Sequence, residues 1–119
     1  MPNTVIIGSG SYLPPNIIGR KHFMDTTFFT DSGEKIDKPA EEIIGKFVEI
    51  TEIENRRYID DDQMNSDIGY EASKKAIASA GIDPETLDYI IYASNFGDAT
   101  SDARPNLMPN LASRVKNKL

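Results

Sequence analysis

Gly8-Ser9-Gly10, directly after Val5-Ile6-Ile7, is the first place where residue types and spacing suggest chemistry, because paired glycines let a backbone close on a phosphate group. A dinucleotide fingerprint needs a third glycine where Leu13 stands, and then a helix whose N-terminus holds the pyrophosphate. Pro14-Pro15 forbids that helix, so the glycines read as allowing close backbone approach while a strand gives way to a turn. Asp60, Asp62 and Glu71 take the first, third and twelfth places of a calcium loop, but Met64 takes the fifth and Asn65 replaces the invariant glycine. That stretch reads as a solvated acidic turn before a helix. His22 is the only histidine, with no serine or cysteine partner placed by a recognisable elbow, so neither a triad nor a multi-histidine metal site is argued. Arg56-Arg57 offers guanidinium forks for a pyrophosphate or a phosphopantetheine, and equally for Asp60 to Asp62 nearby. The chain has no cysteine, which excludes a disulfide framework, a thiolate zinc site and a cysteine nucleophile within these residues. Neither a metal nor a cofactor is implied.

The elements that must position such residues fit about one ordinary domain, since 119 residues bury a modest core. Thr4 to Ser9 reads as a central strand, its run of β-branched residues suiting a sheet covered on both faces. Arg20 to Lys38 has no sustained period and reads as a covering excursion, with Phe23, Met24, Phe28 and Phe29 over something apolar. Pro39 suits a first helical position, and Ala40, Ile43, Ile44, Phe47 and Val48 recur at helical spacing to about Ile50. Asn65 or Ser66 caps a second helix with a narrow stripe of Ile68, Ala72, Ala76 and Ala80, closed by Gly81. Asp83-Pro84 then starts a short turn, and Leu87 to Ser94 reads as a second buried strand, completing the parallel crossover pattern. Asn95 to Asn106 is a long polar loop and a functional candidate. Met108, Leu111, Ala112, Val115 and Leu119 recur as a last helix that reaches Leu119 with no cap, so the end reads as cut.

A formal charge of -6 disfavours nucleic acid as a partner, and the basic groups are few: Arg56-Arg57, Arg20-Lys21, and Arg114 with Lys116 and Lys118. No stretch approaches the roughly 18 to 20 apolar residues that cross a bilayer, so no membrane is expected. The first residues lack the features of a secretory signal, and a cytoplasmic protein is expected.

Four segments, in order, resemble the 3-oxoacyl-acyl-carrier-protein synthase III (ketoacyl synthase III) family of the thiolase superfamily. Ile6-Ile7-Gly8-Ser9-Gly10-Ser11-Tyr12-Leu13-Pro14 is very similar to that family's opening strand and turn. Thr51-Glu52-Ile53-Glu54-Asn55-Arg56-Arg57 resembles its T-G-I-x-x-R segment, with Glu52 in place of glycine and one extra residue. Asp67 to Ile82 and Leu87 to Ser94 follow its long helix and next strand, and Met108-Pro109 matches a bulky apolar residue and proline before a helix.

The resemblance implies an α/β fold, the N-terminal portion of a thiolase-like domain over residues 1–119, with a mixed sheet, packed helices and a helical and loop excursion at about 20–64. It implies a homodimer that moves an acyl group from acyl-CoA or acyl-carrier protein onto a cysteine and condenses it with malonyl-carrier protein. No catalytic residue of that set is found here, so the chain alone is expected to be inactive. Carried over position by position, Lys46 and Ile50 stand where the family has a tryptophan and an arginine that sandwich the CoA adenine, and neither reproduces that stacking. That favours an acyl-carrier donor or a specialised, longer-chain condensing enzyme. Lys46 otherwise reads as a solvent-facing helix position. The resemblance puts Met108 near the partner subunit's acyl pocket, whereas its spacing makes it a core residue of the last helix; Asn95 to Arg104 becomes a dimer-contact or pocket-lining loop. A non-catalytic module that binds an acyl carrier or a partner subunit is the alternative, and a hydroxymethylglutaryl-CoA synthase has similar opening segments.

Overall fold

The computed structural model describes residues 3–99, 105, 106 and 108–119. Its contacts divide into two compact units, one of residues 1–14 with 59–119, the other of residues 15–58.

In the 15–58 unit, β1 (Asn16–Gly19) pairs antiparallel with β2 (Asn55–Tyr58), Ile18 standing opposite Arg56. Neither strand is evident from periodicity, because each is four residues long and β2 is polar. A 3-10 turn at Arg20–Phe23 follows β1, and α1 spans Ala40–Thr51. Pro39 stands just before the first helical residue rather than inside the helix. Glu41 and Glu42 lie in the first turn, where the helix dipole favours negative charge. The apolar spacing works as expected: Ile43 and Ile44 are buried, and Phe47 meets Phe28 edge-on at 5.8 Å between centroids. Helix α1 ends at Glu52, which holds φ 57° in the left-handed region that favours glycine.

In the other unit, α2 spans Asn65–Ala80 and α3 spans Leu111–Lys118, and the two pack together, with Val115 buried. The N-cap of α2 is Met64, whose amide donates to Asp67 Oδ2 at 2.8 Å, so neither Asn65 nor Ser66 caps it. Gly81 closes the helix at φ 64°, as its sequence position suggests. Asp83 accepts from the Glu85 amide to start a 3-10 turn at Pro84–Thr86, also as expected. Two-residue strands β3 (Asp98–Ala99) and β4 (Pro105–Asn106) pair antiparallel.

The mixed α/β class holds, but the two expected buried strands differ from the reading. Among the described residues, 3–13 and 87–94 belong to no ladder, and Ile6 is 92% and Ile91 94% exposed. Their described packing is against helices. A Cβ on Gly8 would stand 2.6 Å from the Ala76 carbonyl, and one on Gly10 2.4 Å from the Ala72 carbonyl. Tyr92 crowds Gly69 in the same way, and Asn65 Nδ2 donates to Ser94 Oγ at 2.6 Å. Both segments therefore run toward the N-terminal end of α2, the common direction that a crossover requires, and residues 87–90 also face Ala112, Ser113 and Lys116 of α3 across a cavity.

The last helix also starts later than its apolar spacing suggests. Asn110 caps α3 by accepting from the Ser113 amide at 2.9 Å, while Met108 lies outside the helix, 79% exposed, ahead of a cis peptide bond to Pro109. Met108 is thus not a core residue. Of the expected loop Asn95 to Asn106, residues 100–104 lie outside the described residues.

Candidate functional site

The 15–58 unit carries a concave site of about 220 Å³ on its own elements. Alternation along β2 sends Arg56 and Tyr58 to one face, and both line the pocket. Ile44, Phe47 and Val48, one helical stripe of α1, form its wall, with Phe23, Phe28 and Ile53 completing an apolar floor. At the mouth, the Arg56 guanidinium lies 5.7 Å from the Phe23 ring centroid, and Arg20 Nη2 approaches Glu54 Oε1 at 3.4 Å. His22 meets Phe23 and Tyr58 edge-on at 5.0 and 6.1 Å. The lining offers apolar side chains on the floor and guanidinium donors with a carboxylate, Glu54, at the rim, groups suited to apolar matter and to an anion.

Of the residues singled out from sequence, only Arg56 lines this pocket. Arg57 points to the other strand face, Nη1 donating to the Pro15 carbonyl at 3.4 Å. Lys46 and Ile50 sit one turn apart on the opposite side of α1 from Ile44, Phe47 and Val48. Lys46 Nζ stands 3.6 Å from Glu42 Oε1, which also pairs with Lys38 Nζ at 2.9 Å. That shared carboxylate is held below its ordinary pKa, first by the Lys38 hydrogen bond, and Lys38 is raised in return. Met108 belongs to the other unit. The sequence marked Phe23 and Phe28 as covering residues but missed them as pocket floor, a role for which the Arg56, Tyr58 alternation was the available signal.

The other unit holds a buried polar centre that the sequence did not disclose. Asp98 is fully buried; Oδ1 accepts from the Ser66 amide and Oδ2 from the Ser66 hydroxyl, each at 2.8 Å. Arg114 Nη1 lies 3.3 Å from Oδ2, its Nε donates to the Pro109 carbonyl at 2.8 Å, and Nη2 to the Met108 carbonyl at 3.2 Å. Tyr92 Oη donates to the Asn65 carbonyl at 2.7 Å, and burial, then the Asp98 charge, raises its pKa. Asp67 is lowered, chiefly by its hydrogen bond to Lys118, with burial opposing and the Met64 amide assisting. Every carboxylate oxygen and guanidinium edge in this centre is spent on the chain itself, the pattern of a structural clamp. Among the described residues, no group of three or more histidine, cysteine or acidic side chains stands ready to hold a metal, and no helix is long and apolar enough to cross a membrane.

Comparison with protein-family models finds no match. Against curated proteins, the chain is 41% identical over 106 residues to beta-ketoacyl-acyl-carrier-protein synthase III of Staphylococcus aureus strain Newman, and equally so to that of strains JH1 and Mu3. The match covers 89% of this chain and 30% of each relative, so the chain spans about a third of their length. The resemblance read from the four sequence segments is borne out.

Proposed function

We propose that this chain is part of a condensing enzyme of the beta-ketoacyl-acyl-carrier-protein synthase III type, with a thiolase-like fold. The observation that carries the reading is 41% identity sustained over 89% of the chain. In such a reaction a cysteine thiolate attacks an acyl thioester and releases the carrier thiol. Malonyl-carrier protein then loses carbon dioxide, and its enolate attacks the acyl-cysteine carbonyl, expelling the thiolate and leaving a 3-oxoacyl-carrier product. This chain has no cysteine, so the nucleophile belongs to polypeptide outside these residues, and the chain alone is inactive.

Its own contribution is to substrate binding. Arg56, whose guanidinium borders the apolar pocket, contacts the phosphate of the phosphopantetheine arm, and Arg57, on the other face of the same strand, adds positive charge that draws the phosphate in. Lys46 and Ile50 offer no flat face for adenine, and Lys46 is engaged by Glu42, which favours a carrier-bound donor over acyl-CoA. Met108, exposed beside the capped start of α3, reaches the acyl pocket of a second subunit in a cytoplasmic homodimer. The complete lack of cysteine favours one second reading, a non-catalytic module that binds an acyl carrier.

The test replaces the matched stretch of the strain Newman relative with this chain. The chimera is expected to form 3-oxoacyl-carrier protein from an acyl donor and malonyl-carrier protein, while the chain alone forms none. Arg56→Ala with Arg57→Ala is expected to raise KM for the carrier substrate about tenfold, the loss of roughly 1.4 kcal/mol of charge-assisted binding. A folded chimera that forms no product would sink the condensing reading; product from the chain alone would sink the claim that it lacks the nucleophile.

A further inference from the structure

Arg114 lies within α3 beside the buried Val115, yet its guanidinium acts outside the helix. Nε donates to the Pro109 carbonyl at 2.8 Å and Nη2 to the Met108 carbonyl at 3.2 Å, so one planar fork grips two successive residues ahead of α3. The remaining edge, Nη1, faces Asp98 Oδ2 at 3.3 Å. Asp98 and Ser66 are both buried, and Asp98 is anchored to the first turn of α2 by the Ser66 amide and hydroxyl, each at 2.8 Å. The backbone at residues 108 and 109 therefore hangs from α2 through a relay of charge-assisted hydrogen bonds. Met108 is 79% exposed, so burial does not fix it, whereas its carbonyl is held. A hold on the backbone sets where a side chain stands without depending on which side chain it is.

We infer that Arg114, itself held by Asp98, is a positioning residue that fixes the reach of Met108 into the acyl pocket and so sets which acyl chain lengths are accepted. The inference rests on the functional reading for what Met108 touches; the relay that places Met108 stands on geometry. In an apolar pocket, one methylene admitted or refused changes kcat/KM by about tenfold or more, so a small displacement of Met108 is enough to alter selection. Lysine at position 114 separates the two jobs of the guanidinium: its ammonium keeps a cation beside Asp98 but lacks the planar fork that grips both carbonyls.

Two measurements test it. In the chimera described above, the ratio of kcat/KM for an acetyl donor to that for an octanoyl donor is read for Met108→Ala, Arg114→Lys and the pair. Met108→Ala is expected to change the ratio about tenfold and Arg114→Lys about threefold in the same direction. The pair is expected to go no further than Met108→Ala alone, because Arg114 acts through Met108. An arginine with a merely structural role lowers Tm and leaves the ratio where it was. The chain has no cysteine, so Met108→Cys and Ser79→Cys, the latter exposed on α2, take spin labels at those two sites alone. The distance distribution between the labels is expected to be narrow, and to reach roughly twice that width with Arg114→Lys while helix content holds. An unchanged ratio in either single variant, additive effects in the pair, or a distribution that stays narrow overturns the inference. A chimera that forms no product removes the condensing reading and leaves the relay to the labels: broadening keeps Arg114 as the residue that places Met108, and no broadening overturns it.

Discussion

At the scale of single residues, Glu52 carries a conformation its side chain does not favour. Its φ of 57° ends α1 where the resembling family places glycine, so Glu52→Gly is expected to stabilise the 15–58 unit by about 1 kcal/mol, read from a urea midpoint. Arg114 is the opposite case, a residue whose loss leaves a buried charge behind. Arg114→Ala strips the cation from fully buried Asp98 and frees the Met108 and Pro109 carbonyls, for an expected loss of about 3 kcal/mol. Asp67 supplies a pH test. Its pKa is lowered in the folded chain, so at acidic pH the unfolded chain binds more protons and stability rises with pH. The contribution is present above the unfolded value of about 3.9 and is lost as pH falls toward the lower folded value. Asp67→Asn is expected to flatten the urea midpoint against pH between about pH 5 and 3. The Asp98 centre was invisible to sequence reading because Ser66, Asp98 and Arg114 are far apart in the chain and none of these residue types marks burial. Arg56 was singled out in the sequence for its guanidinium, but its aromatic company, Phe23 and Tyr58, was not legible there.

At the scale of elements, two glycines make opposite predictions. Gly45 lies within α1 with nothing within 4 Å of its missing Cβ, so Gly45→Ala is expected to add about 0.5–1 kcal/mol by lowering the entropy of the unfolded chain. Gly10→Ala drives a methyl to 2.4 Å from the Ala72 carbonyl and the Ala76 amide, backbone atoms that cannot swing away. It is expected to cost about 1–3 kcal/mol, checked by thermal unfolding. The helices were legible because periodicity is local: Ile43, Ile44, Phe47 and Val48 announce α1, and Gly81 announces the end of α2. Strands β1 and β2 were not, since pairing Ile18 with Arg56 is a long-range event that no local pattern encodes. The runs at Val5 and Tyr89 misled for a related reason. Composition reports what a segment is suited to, while a ladder needs a neighbour.

At the scale of the whole molecule, the two units have separate interiors, Ile43 and Ile44 in one, Val115 and Asp98 in the other. Gly45→Ala is therefore expected to slow hydrogen exchange in α1 and leave α2 unchanged, and Gly10→Ala to speed it in α2 alone. The units also differ in how the chain enters them. The unit of residues 15–58 is one continuous stretch, whereas the other joins residues 1–14 to partners that begin at residue 59. On a ribosome this becomes a matter of time. Gly8 and Gly10 emerge long before Ala72, Ala76 and Ala80, the residues they rest on. At translation rates of about 5–20 residues per second, that wait is on the order of several seconds. During it the apolar run Val5-Ile6-Ile7 waits for the helix that Gly8 and Gly10 close upon, whereas the unit of residues 15–58 needs no segment made later in the chain, so the order of synthesis favours one unit over the other.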